Sequence, residues 1–248
     1  MRVTICGDKR DVGFQAAQAG ALKIRQAIGT KGGAVIVLAT GASQFEMLNA
    51  LVQQDVDWSK VEVFQLDEYV GISEKHPASF QKYLKDRFVD QVKNLKAFHA
   101  MDGVAENPDA EAQRLSFLIA ERPVDVTFLG IGENGHLAFN DPPASFDAEE
   151  PYLVVTLADR CRKQQVGEGW FSCIDDVPVQ AISMSIRQIL RSRSIICSVP
   201  DRRKARAVAM CLYDQISPLS PCSVLRRRSE CSLFLDRPSS MLVLGDRR

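Results

Sequence analysis

The chain has 248 residues, 46% of them hydrophobic and 25% charged, enough to bury a substantial core as one large α/β domain or two small ones. Its 31 basic and 31 acidic residues cancel, so it lacks the basic excess of a nucleic-acid-binding surface. No stretch approaches the roughly 18 consecutive apolar residues of a membrane span, and the run at Met1–Cys6 is too short for a signal peptide.

Residues 12–28 place Val12, Ala16, Ala19, Leu22, Ile24 and Ile28 at helical spacing, and Gly32-Gly33 ends that helix. Ala34–Ala39 is continuous and rich in β-branched residues, as in a strand buried on both faces. It runs into Thr40-Gly41-Ala42-Ser43, with a second helical pattern behind it through Phe45, Leu48 and Leu51. Val61–Leu66 is strand-like and stops at Asp67. His76-Pro77-Ala78-Ser79 reads as a helix start, with Phe80 and Tyr83 following. Val124–Leu129 is another buried strand, stopping at Gly130-Ile131-Gly132. Ser194–Val199 is a fourth, followed by a helix from about Arg202, and Ser232–Asp236 is a late strand. Strands alternating with helices predict a mostly parallel sheet covered on both faces. With no linker-like or repeated segment, residues 1–248 read as a single domain, with a loose tail at 245–248.

In open α/β sheets, ligands bind beyond the carboxyl ends of the strands. Three polar clusters fall there. In Thr40–Ser43, small residues, backbone N–H groups and two hydroxyls suit an anion such as phosphate. Taken alone, the segment reads better as an ordinary strand–helix turn with Ser43 as N-cap. In Asp67-Glu68-Tyr69-Val70-Gly71, either carboxylate suits a general base if the site excludes water, and a helix cap is the plainer alternative. Gly130–Asp141 joins three glycines to His136, a proton carrier near neutral pH, and to Asp141 five residues on, and here a functional reading prevails. His76 reads equally as site lining or as a cap, and His99 has no polar constellation around it. Lys204 can offer a point charge to a phosphate, although in isolation it reads as a surface lysine. Arg226-Arg227-Arg228 reads as a solvated or subunit-facing surface, so a homo-oligomer is allowed. The seven cysteines are odd in number and form no CxxC pair, which argues against a disulfide framework or zinc site and points to a reducing, cytoplasmic compartment.

Taken together and in order, these segments resemble the glucosamine-6-phosphate deaminase family. The resemblance is carried by Leu38-Ala39-Thr40-Gly41, Leu66–Gly71 with His76-Pro77 and Ser79, and Leu129–Gly132 through His136–Asn140. It continues in Lys204–Ala207, Pro221–Leu225 and Leu233–Asp236, and so covers nearly the whole chain. The resemblance implies a three-layer, modified Rossmann-like α/β fold and a small sugar phosphate as ligand. It implies conversion of glucosamine 6-phosphate to fructose 6-phosphate and ammonia, with no metal or organic cofactor. By position, Asp67 matches the proton-transfer aspartate and His136 the ring-opening histidine. Asp141 and Asn134 stand where many members have glutamate and aspartate. Thr40, Gly41, Ala42, Ser43 and Gln44 match the phosphate loop, and Gly132 falls among the substrate-binding positions. Lys204 matches a phosphate-binding lysine, and Arg162 is the nearest candidate for a phosphate-binding arginine. A galactosamine-6-phosphate deaminase is close in chemistry. 6-Phosphogluconolactonase, which shows Asp-Glu-Arg and Gly-His-Thr-Ala-Ser runs absent here, stands further off. A non-catalytic sugar-phosphate regulator would be expected to have lost Asp67 or His136.

Overall fold

The computed structural model describes residues 1–244; the tail at 245–248, read as loose from the sequence, lies outside the described residues. Among the described residues, ten strands alternate with eight α-helices. In chain order they are β1 (Arg2–Ile5), α1 (Lys9–Lys31), β2 (Ala34–Leu38), α2 (Phe45–Leu51), β3 (Val61–Gln65), β4 (Asp67–Tyr69), α3 (Phe80–Leu84), β5 (Ala97–His99), α4 (Pro108–Ala120), β6 (Val126–Leu129), β7 (Tyr152–Thr156), α5 (Asp159–Gly167), β8 (Gln180–Met184), α6 (Ile186–Arg191), β9 (Ser194–Val199), α7 (Ala205–Tyr213), β10 (Cys231–Leu235) and α8 (Met241–Leu244). Seven strands form a sheet in the order β1-β10-β9-β6-β2-β3-β5, and every pairing in it is parallel. The parallel sheet expected from the alternation is therefore present.

Alternation of side chains across each strand produces the three layers. Ile36, Leu38, Val63, Val126 and Phe128 point to one face, where they pack on Val12, Ala16 and Ile24 of α1 and Met47 and Leu48 of α2. Val35, Val37, Leu129, Cys197 and Leu233 point to the other, against Leu115 of α4, Ile189 of α6 and Val208 of α7. Helix α1 begins at Asp8, whose carboxylate accepts from the Arg10 and Asp11 N–H groups, and ends at Gly32 with φ 81°. It can lie close to the sheet because Gly20 has no side chain: a Cβ there would stand 2.2 Å from the tip of the buried Phe128 ring. Gly20→Ala is therefore expected to destabilise the fold by roughly 1–3 kcal/mol, or about 2–4 °C of Tm per kcal/mol in a chain of this size. Thermal denaturation checks this, and an unchanged Tm would show that the helix simply lifts.

Several elements were not read from the sequence: β5, α4, β7, α5, β8 and α6 carry no expectation above. The strand expected over Val61–Leu66 ends at Gln65 as β3, and Asp67 then opens an unanticipated strand, β4, which belongs to a second, antiparallel sheet of order β4-β8-β7. The strand β1 at the open edge of the main sheet was also not anticipated. No helix among the described residues is long and apolar enough to cross a membrane.

The chain runs outward from β2 through β3 to β5, then returns to the other side of β2 at β6 and continues to β9 and β10. The connection thus reverses between β2 and β6, and a crevice opens at such a switch point beyond the carboxyl ends of the strands.

Candidate functional site

The polar segments that follow β2, β3, β6 and β9 meet in that crevice. The pocket there is lined by Thr40, Gly41, Ala42, Ser43, Gln44, Asp67, Gly132, His136 and Lys204, together with Phe80, Phe139, Gln164, Gln165 and Glu168. Eleven of the twelve residues singled out in the sequence lie in it or, in the case of Asn134 and Asp141, directly behind it.

The loop after β2 turns at Gly41, whose φ of 93° favours glycine, and the Tyr83 hydroxyl donates to the Gly41 carbonyl. Ser43 does not cap α2: residues 42–44 form a short 3₁₀ turn that leads into the helix, with no side-chain cap. Gln44 is fully buried and reaches across the sheet ends toward the carbonyls of Leu129 and Ser198.

The two adjacent carboxylates have different tasks. Glu68 is consumed by structure: it accepts from the Ser79 hydroxyl and from the N–H groups of Tyr69, Phe80 and Gln81, and so ties β4 to the start of α3. Ser79 in turn caps that helix, as the sequence suggested. Asp67 lies in the pocket wall with its Oδ1 buried and without a hydrogen-bond partner. Burial, and then the nearby Glu68 charge, push its carboxyl well above the usual carboxylate range. A carboxylate without compensating partners is poised to take up a proton.

Because the folded carboxyl holds its proton to higher pH than the unfolded one, the contribution of Asp67 to stability is full below about pH 4. It is lost progressively as pH rises through the folded value. Asparagine cannot ionise, so the Tm of Asp67→Asn minus that of wild type is expected to widen as pH rises above about 4. A flat or negative difference in paired melts would refute this.

His136 is 7% exposed. Its Nδ1 stands 3.3 Å from Asp141 Oδ1, within ion-pair distance but too oblique for a full hydrogen bond. Asn134 joins the two: its amide donates to Asp141 Oδ1 at 2.8 Å, and its oxygen accepts the His136 backbone N–H at 3.1 Å. The Ala158 N–H also donates to Asp141. Burial opposes the charge on Asp141, but the imidazole, the Asn134 amide and this N–H outweigh it and hold the carboxyl below its ordinary range. With Nδ1 facing an ionised carboxylate, Nε2 is left for the pocket.

The histidine ring rests directly on Gly132, where a Cβ would lie 2.2 Å from its Nε2 and Cε1. Gly132 is thus needed as much for the seating of His136 as for ligand contact. Asn140 donates to the carbonyls of Leu137 and Met184, which anchors the loop to β8.

Lys204, the surface lysine of the isolated motif, is in fact 3% exposed and lies at the pocket's end after β9. Burial lowers its pKa, and Glu168, 3.6 Å away, works against that shift. Arg162 is the exception among the expected site residues. Its guanidinium donates to the carbonyls of Ile174 and Val177, and it does not line the pocket. It braces the segment after α5 rather than facing a ligand. His76 stacks on Phe171 and accepts from the Ala78 N–H, outside the pocket. His99 pairs with Glu62, a carboxylate that also meets Lys96 and Arg122.

Sequence reading missed Gln164, Gln165, Glu168 and Cys161 here. Gln164 and Glu168 carry no motif beyond their place between glycines and glutamines. Cys161 brings its sulfur, together with His136 and Asp141, into one cluster with ligand atoms within 4.8 Å of one another. Burial and the neighbouring Asp141 push this thiol up, so it stays protonated.

The family described as glucosamine-6-phosphate isomerases/6-phosphogluconolactonase matches residues 7–234. The chain belongs to this family. It is 32% identical over 230 residues to a glucosamine-6-phosphate deaminase of Oenococcus oeni, covering 93% of this chain and 95% of that one. It is 35% identical over 213 residues to a deaminase of the same description from Exiguobacterium, covering 86% and 82%. Among solved structures it superposes on a monomeric glucosamine-6-phosphate deaminase with a TM-score of 0.88 at 31% identity, covering 98% of this chain and 100% of the other. A 6-phosphogluconolactonase structure from Neisseria gonorrhoeae gives a TM-score of 0.77 at 20% identity and shows the shared family fold alone. Within the family, the pair Asp67 and His136 on one pocket is the arrangement to be explained.

Proposed function

We propose that this family member converts glucosamine 6-phosphate and water into fructose 6-phosphate and ammonia. The observation that carries this reading is the meeting in one pocket of a partnerless buried Asp67, an imidazole backed by Asp141, and a backbone loop facing Lys204. The deaminases named above, at 32–35% identity over most of the chain, support the choice of substrate.

In this reading the phosphate lies between the 40–44 loop and Lys204, with the sugar ring extending toward His136. His136 moves the proton between the ring oxygen and the C1 hydroxyl that opens the pyranose, and Asp141 steadies the charge it gains. Asp67 then takes the C2 proton and returns a proton to C1, so that the C2 amine becomes an imine. Water adds at C2 and ammonia leaves. The chain acts as a single domain, because both faces of one sheet supply its core. Its seven free cysteines, six of them buried, support a reducing cytoplasmic setting.

A panel of purified protein with glucosamine 6-phosphate, galactosamine 6-phosphate and 6-phosphogluconolactone tests the assignment, with ammonia and ketose phosphate both monitored. Ammonia and fructose 6-phosphate released in equal amounts from the first substrate is the expected result. Faster turnover of either other substrate, or tight binding without turnover, replaces the reading.

A further inference from the structure

Within that reading, the Lys204 end of the pocket holds a group that the chemistry does not need. The Glu168 side chain is 6% exposed and is already engaged. Its Oε1 accepts from Gln164 Nε2 at 2.8 Å and lies 3.6 Å from Lys204 Nζ; its Oε2 accepts from Trp170 Nε1 at 3.2 Å. Oε2 also faces the turn of the 40–44 loop, 3.9 Å from where a Cβ on Gly41 would stand. A carboxylate thus sits between the same lysine and the same loop that the substrate's phosphate would use. Phosphate and carboxylate are both anionic acceptors, and one buried ammonium cannot serve both at close range without strong like-charge repulsion.

The chain around Glu168 carries little side-chain bulk. It follows the last residue of α5 and is flanked by Gly167 and by Gly169, whose φ is 84°; a Cβ on either glycine would meet no atom within 4 Å.

We propose that Glu168 is an internal competitor for the substrate's anionic group, a specificity-determining residue that neutralises Lys204 in the empty pocket and is displaced when phosphate binds. This rests on the assignment of the Lys204 corner to phosphate. The ion pair keeps a buried lysine satisfied until the ligand arrives. It also makes each anion's affinity a difference between two interactions, so a monoanionic carboxylate ligand displaces Glu168 less readily than a phosphate dianion does. Release of Glu168 removes the acceptor of the Trp170 indole N–H, so anion binding is coupled to movement at residues 167–170.

Direct binding of inorganic phosphate tests the proposal without any turnover, and therefore independently of the deaminase assignment. By isothermal titration at fixed ionic strength, Glu168→Gln, which keeps the shape and loses the charge, is expected to bind phosphate about tenfold more tightly than wild type, the scale expected when a close like charge is removed and partly screened. Equal or weaker binding by the variant, including no binding by either protein, overturns the proposal. A second measurement leaves Glu168 in place. Trp58 and Trp170 are the two tryptophans, and Trp58 packs against Phe88 in the core. In Trp58→Phe, saturating phosphate is expected to shift the emission of Trp170; unchanged emission with phosphate bound overturns it.

Discussion

Replacing Asp67 with asparagine is expected to lower ammonia release from glucosamine 6-phosphate by about 10²–10⁴-fold, the usual contribution of a positioned proton-transfer group. The substitution is nearly isosteric, so the pocket keeps its shape. What it removes is a carboxyl on the wall whose buried oxygen has no protein partner and whose proton affinity is raised by burial. A carboxyl at its ordinary pKa is a weak base toward a carbon acid, and the raised value narrows that gap. The same burial makes ionised Asp67 a burden on the fold, so the inactive variant should melt at or above the wild-type temperature at neutral pH. Loss of activity with gain in stability distinguishes a chemical role from a structural one. Near-normal turnover would move the base elsewhere, and Glu68 is no substitute, because its oxygens are spent on Ser79, Phe80 and Gln81.

The second large effect is expected at a residue with no reactive group. Gly132→Ala places a methyl 2.2 Å from His136 Nε2 and Cε1, so the ring has to turn away. The backbone at Gly132 tolerates a side chain, since its φ is not among the positive values, so the strain falls on the imidazole. A ring moved by about 1 Å costs on the order of 10²-fold in rate, and it also loses its approach to Asp141. Steady-state kinetics should show the loss in kcat/KM, because the ring no longer faces the Asp141 carboxylate. A variant within threefold of wild type would mean that the ring has room not apparent here.

The helices α1 and α2 and the buried strands β2, β3, β6, β9 and β10 were legible because their signals are local. The β-branched run at Ala34–Ala39, the 3.6-residue spacing in 12–28 and the capping serine at Ser79 each need only their neighbours in the chain. The polar clusters could be placed at strand ends for the same reason, and a parallel sheet brings such ends to one side. The short β4 was hidden because nothing local separates it from β3. Its turn into a second sheet is decided by pairing with β8, more than a hundred residues away. Arg162 was misassigned because sequence order says only that an arginine lies near the pocket rim, while its direction is set by the carbonyls of Ile174 and Val177.

By itself, then, the sequence determined the α/β class, the parallel sheet, the order of the polar segments and the residue types on which acid–base chemistry would rest. Only the tertiary structure decided how those residues are used. It turned Asp67 into the pocket and Glu68 into a cap, set His136 down on Gly132 and against Asp141, and buried Lys204 beside Glu168. The reason is physical: backbone propensity and hydrophobic period act between near neighbours. The ionisation and orientation of a side chain depend instead on burial and on partners that the fold brings from distant parts of the chain.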